Sequence, residues 1–282
     1  MPASHLKELI DQMPNPDGRG MYTTDIDKAK IETAVAEIAK GGKDNLLAII
    51  AMLGEPGSAE DVKPHYALHC VVNHALVARD EKLRKDFCDA MAAQLQNRDL
   101  SAYNRAYLCQ ELQWAGRDEA CAALGKVLLD EELVDAACTA LAAIRGEPAT
   151  APLREAAAKA TGKCRRNIID ALADLADPKS AEIFRSALGD GDREVRIAAG
   201  AGLAKLGDPS AAEALLKAAD KEPGWERIQQ TKHSLVLAEK LAAAGKKDAA
   251  AKLYGALRDS RTDPTEKYIR DQAEKALAAM KS

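Results

Sequence analysis

Apolar residues recur every three or four positions through most of this chain, and short runs rich in Gly, Pro and Asp break the rhythm at regular intervals. The clearest instance is 192–216, DREVRIAAGAGLAKLGDPSAAEALL. Val195, Ala198, Ala199 and Leu203 fall on one helical face, with Leu206 closing the last turn. Asp192 is suited to accept from the free N–H groups of the first turn. Gly207 can take the left-handed conformation that ends a helix, Asp208 can cap the next one, and Pro209 follows at a first helical position where its missing N–H is harmless. Ala212, Leu215, Leu216 and Ala219 then form a second apolar stripe. The pattern predicts two amphipathic helices joined by a tight turn.

The hairpin recurs. Leu203 and the following Gly207-Asp208-Pro209 align with Leu172 and Ala176-Asp177-Pro178, 31 residues earlier. Leu141 stands 31 residues before Leu172, Leu112 stands 29 before Leu141, and Leu241 follows Leu203 by 38. Nearly constant spacing of equivalent apolar positions indicates stacked units, because an isolated helical pair cannot bury its stripe. The run from Val195 to Leu215 resembles a HEAT-like repeat of the short bacterial kind first described in phycobilisome lyases. The likeness is strong over 164–219 and looser over about 100–258. It implies an all-α, right-handed α-α superhelix, a HEAT-like solenoid, with ligand or protein contacts along one face. It implies no reaction, since such arrays serve many purposes. The first hundred residues look like the leading part of bacterial HEAT-repeat proteins, some of them exported or fused to other domains.

Read in order, the pattern predicts helices at 4–13 (capped by Ser4), from Thr24 or Asp25 to Gly41, from Asp44 to Leu53, from Pro64, from Asp80, and at 101–115, 118–129, 131–145, 150–161, 164–176 and 178–188. The organising hairpin comes next, then Trp225–Ala244, Asp248–Leu257 and a last helix capped by Asp263. That makes about sixteen helices in eight hairpins: an N-terminal helical cap over 1–62 and a repeat array over 63–282 continuous with it.

Net charge is −4, with acids and bases interspersed, which leaves no electrostatic footprint for nucleic acid or anionic membrane. The basic clusters Lys82-Arg84-Lys85 and Lys163-Arg165-Arg166 read as solvated faces. Six cysteines (70, 88, 109, 121, 138, 164) show no paired C-x-x-C spacing. Cys109 and Cys138 share a repeat position that Ile169 and Gly200 continue. Stacked equivalents lie roughly 8–10 Å apart, too far for a disulfide, so buried free thiols and a reducing compartment are expected. The start of the sequence is too polar for a signal h-region. The expected location is cytoplasmic as the sequence stands, or periplasmic if a signal peptide has been removed.

His65, His69, Cys70 and His74 are the densest group of ligand-type residues. At about 100° per residue, His65 and His69 face one side of their helix while Cys70 and His74 face the other, so no metal site is expected. No His-Glu dipeptide occurs, whereas HEAT-type deoxyhypusine hydroxylases need repeated His-Glu pairs for two irons. Arg105, Arg165 and Arg196 occupy one repeat position. They either bond turn aspartates such as Asp177 and Asp208, or last-turn carbonyls, or they form a stripe for a carboxylate-bearing partner. Trp114, beside Leu112, is expected in the core. Trp225 follows Pro223-Gly224, where core packing and an exposed binding anchor are both open. No cofactor is called for.

These observations lead to a non-enzymatic scaffold that binds a protein or peptide on a concave face built from the second helices. Nucleic acid and membrane are not expected partners. The alternative is a tetrapyrrole (bilin) lyase or chaperone, which the repeat style admits although no reactive residue can be named.

Overall fold

The computed structural model describes residues 1–18, 20–22, 26–55, 57, 58, 61–221 and 223–280. Within them every element is helical, and no strand occurs among the described residues. The chain divides into two compact units, Met1–Pro152 and Leu153–Ser282.

Unit 1 contains α1 (Ala3–Ile10), α2 (Lys28–Ala39), α3 (Gly42–Ile50), α4 (Val62–Ala78), α5 (Glu81–Gln94), α6 (Ala102–Ala115), α7 (Asp118–Gly125) and α8 (Val134–Ile144). The boundary falls inside α9 (Gly146–Ala157). First helices pack on first helices, α4 on α6 and α6 on α8, while second helices α3, α5 and α7 form the neighbouring layer. Leu68, Val71, Phe87, Met91, Leu108, Leu112, Leu124 and Leu141 are fully buried between the layers. Their side chains are what makes each hairpin depend on the next.

Unit 2 continues with α10 (Gly162–Leu175), α11 (Ala181–Ala187), α12 (Arg193–Leu206), α13 (Ala212–Lys221), α14 (Trp225–Ala243), α15 (Lys247–Ser260) and α16 (Lys267–Ala279). Here α10, α12 and α14 pack side by side along their lengths. Gly200 makes the α12–α14 approach possible, and Gly202 lets α11 close on α12. A Cβ on Gly200 would lie 1.9 Å from Gln230 Oε1, and one on Gly202 would lie 2.7 Å from the ring of Phe184. Gly200, in the register of Ile169, thus gives up its side chain to admit a polar residue of α14. Leu172 and Leu203 are both fully buried, as their shared repeat position requires.

The turn chemistry agrees closely with the sequence. Asp192 accepts from Glu194 N, Asp208 from Ser210 N, Asp263 from Thr265 N and Asp80 from Leu83 N. Gly207 adopts φ 67° and ends α12. The aspartate–proline turns open with one 3-10 turn before each second helix continues, at Pro178–Ser180 and Pro209–Ala211. Two caps differ from expectation. Ser4 lies inside α1, whose N-cap is Pro2 without a side-chain bond. Asp44 sits in the first turn of α3, which starts earlier at Gly42, and there its charge still favours the helix N-terminus. The expected helix start at Thr24 or Asp25 lies outside the described residues; Asp27 caps α2 through Lys30 N.

Candidate interaction surface

The outward side of α6 carries exposed Tyr103, Gln110 and Trp114 at i, i+7 and i+11, with half-buried Tyr107 between them on the same helical face. Trp114 is 61% exposed and Tyr103 51%. The expectation that Trp114 is core is therefore corrected. It lies two residues beyond Leu112, about 200° around the helix, so the contacts that bury Leu112 turn Trp114 to solvent.

Helix α4 runs beside α6 in the same direction. Tyr107 Oη donates to the carbonyl of His65 at 2.8 Å, and His69 Nδ1 lies 3.1 Å from Glu111 Oε1. Both contacts link residues 42 apart, which fixes the helices as parallel. The same register sets Trp114 at the level of the last turns of α4, which end on exposed Val77. Below this face the polar groups are built in. His65 packs edge-on against Tyr107, with ring centroids 4.3 Å apart, and its Nδ1 faces the carbonyl and carboxylate of Asp61. Glu111 is buried, and its bond raises the His69 pKa above the ordinary imidazole value. Burial raises the phenol of Tyr107. The rings of Tyr22 and Tyr66 meet at 4.8 Å, tilted by 45°, on the flank of α4. His65 and His69 thus serve the α4–α6 contact, while Cys70 turns to Tyr66.

The arginines at the shared repeat position are turned inward. Arg165 Nε donates to Asp190 at 2.5 Å and its Nη1 to Ala157 O at 2.9 Å. Arg196 holds Glu226 through Nε and Nη2, at 2.7 and 2.5 Å, and donates from Nη1 to the carbonyls of Asp190 and Gly191. Arg105 reaches Asp130 only through Nη1, at 3.4 Å. Asp177 and Asp208 are taken instead by Arg154 (2.9 Å) and Arg185 (3.1 Å), themselves 31 residues apart. A second arginine register, unnoticed in the sequence, was visible there as that spacing.

Trp225 begins α14 and is 54% exposed, so core packing does not describe it. The next residues of α14 form a buried polar seam: Glu226, Gln230, Thr231 and Ser234. Gln230 Nε2 donates to Arg196 O at 2.8 Å. Burial lowers the His233 pKa to about 4. The thiols of Cys70 and Cys121 are pushed up to about 11 by burial, and those of Cys88 and Cys109 to about 12.

Residues 160–236, which span α10 to the middle of α14, match the family profile of HEAT repeats. This stretch carries HEAT repeats, and the helical hairpins of unit 2 pack around it in the same style. No curated protein matches the chain. Among solved structures, it is similar to the crystal structure of an engineered protein from the Northeast Structural Genomics Consortium. That similarity has 17% identity and a TM-score of 0.43, covering 100% of this chain and 92% of the other. A second engineered protein from the same consortium is similar at 19% identity and a TM-score of 0.28, covering 98% of this chain and 96% of that one.

Proposed function

We propose that this chain is a non-enzymatic scaffold and that a protein or peptide partner docks on the first-helix face of unit 1, centred on Trp114. The supporting observation is the exposure of Trp114 and Tyr103 on one face in a chain only 4% aromatic. Large aromatic rings contribute most of the energy in protein interfaces when a partner desolvates them, because they bury much area at little conformational cost. The polar layer beneath, Tyr107, His65, His69 and Glu111, holds the two helices in fixed register, so the rings are presented on a rigid platform. This puts the docking face on first helices rather than on the second helices expected from sequence. Trp225, exposed on the first turn of α14, is a further candidate anchor within unit 2.

The cysteines weigh against covalent chemistry at the same surface. Thiols held near 11 or 12 by burial are poor nucleophiles, which favours binding over a lyase-type attachment. No described helix is long and apolar enough to cross a membrane.

The test is quantitative capture from the native source with the full chain, its Trp114→Ala variant and its Trp225→Ala variant. The reading requires a discrete partner whose recovery falls about tenfold or more with Trp114→Ala, as for an interface hot spot, at unchanged helical content. Undiminished recovery with that variant rejects this face as the docking site.

A further inference from the structure

The repeat position shared by Arg105, Arg165 and Arg196 has one member whose binding is incomplete. In Arg165 and Arg196 the Nε–H is met by a carboxylate oxygen at 2.5 and 2.7 Å. The register supplies the same acceptor to Arg105, since Asp130 comes 25 residues after it, as Asp190 comes after Arg165. Yet Asp130 stands off. Its Oδ2 lies 3.4 Å from Arg105 Nη1 and 3.7 Å from Arg98 Nη1, and its Oδ1 is used to cap Glu132 N. Arg105 is only 4% exposed, and its Nε is buried with no hydrogen-bond partner. An unmet donor on a buried cation is costly, and a guanidinium cannot escape the cost by losing its proton.

Beside it is a cavity of about 80 Å³ lined by Arg98, Arg105, Lys126, Asp130 and the Leu95-Gln96 turn. Three cations and one carboxylate leave its walls with a formal charge of about +2, in a chain whose total is −4. We propose that this cavity is a binding site for a small oxyanion of the size of phosphate. One oxygen accepts from Arg105 Nε, as a carboxylate oxygen does at the two equivalent positions. The exposed Arg98 and Lys126 close over the outer oxygens. Asp130 is the internal competitor that the ligand displaces from the guanidinium. The site is separate from the docking face around Trp114 and does not depend on it.

The test uses the full chain and inorganic phosphate, with sodium chloride at matched ionic strength as control and acetate as a carboxylate probe. Melting temperature is tracked against concentration. A saturable rise with phosphate beyond the chloride control is expected. Arg98→Ala, at an exposed position, should raise the half-saturating concentration about tenfold, the effect of losing one charge-assisted hydrogen bond. Arg105→Lys should abolish the response. Asp130→Asn should lower the half-saturating concentration by a similar factor, which a merely structural role for Asp130 would not do. Saturation by acetate but not phosphate keeps the site and assigns it to carboxylates. Equal shifts in phosphate, acetate and chloride, or a phosphate response unchanged in Arg98→Ala and Asp130→Asn, would overturn the proposal.

Discussion

Arg196 of α12 and Glu226 of α14 meet in a two-point ion pair with Glu226 almost entirely buried, and the same guanidinium holds the two carbonyls that lead into α12. One side chain therefore joins two consecutive repeats and closes the loop before one of them. Breaking a buried pair from one side leaves the other charge uncompensated, at a cost of about 3–5 kcal/mol. Arg196→Ala should lower the stability of unit 2 by that order in denaturant unfolding. Glu226→Gln should cost less, since the amide still accepts one bond. A loss below about 1 kcal/mol for Arg196→Ala would mean that the pair is not formed in solution.

Two glycines inside helices should respond in opposite directions to the same substitution. Gly→Ala in a helix interior gains about 1 kcal/mol from propensity. At Gly202 the new methyl would lie 2.7 Å from the Phe184 ring, which is fully buried, and overpacking of that kind costs roughly 1–3 kcal/mol. Gly255 in α15 has nothing within 4 Å of the added carbon. Thermal melts should show Gly202→Ala destabilised and Gly255→Ala stabilised. Stabilisation at both would remove the close approach of α11 and α12.

Two histidines give the stability profile opposite slopes. The bond to buried Glu111 raises the His69 pKa, so the imidazolium is favoured in the fold. Its contribution is complete below about 6.5, the ordinary imidazole value, and is lost as pH rises through the folded value. Burial lowers His233 to about 4, so the fold holds it neutral. The unfolded chain then binds the extra proton between about 6.5 and about 4, and stability falls as pH falls across that window. His233→Gln should remove that acid-side loss, worth roughly 2–3 kcal/mol after allowance for its partial exposure. Glu111→Gln should flatten the loss above about 6.5. Urea midpoints of the wild type and both variants between about pH 4 and 8 decide the matter; identical profiles would contradict both assignments.

The helices were legible in the sequence because each signal there is local. Asp192, Asp208 and Asp263 sit before proline or apolar periodicity and cap the helical turn that begins just after them, and Leu172 and Leu203 share a position because they share a spacing. The features that escaped the sequence depended on angle or on distant partners. Trp114 neighbours Leu112 in sequence but not in direction, and about 200° of helical rotation was enough to place it in solvent. The arginines at 165 and 196 found acceptors 25 and 30 residues on, beyond the second helix, rather than in the nearer Asp177 and Asp208 turns. Those turns were already served by Arg154 and Arg185. The 42-residue link between α4 and α6 has no counterpart in the 31-residue register, so the His69–Glu111 pair could not be read from the repeat.

Gln110 lies on the outward face of α6 between Tyr107 and Trp114 and makes it possible to observe docking where it is proposed to occur. A photo-crosslinking residue at position 110, in the full chain in its native cells, should give a discrete adduct with another protein. The same probe at exposed Lys252 of α15 should not give that adduct, and Trp114→Ala should remove it. Absence of any adduct at position 110, or an equal yield of it with Trp114 replaced, would contradict a partner seated on this face.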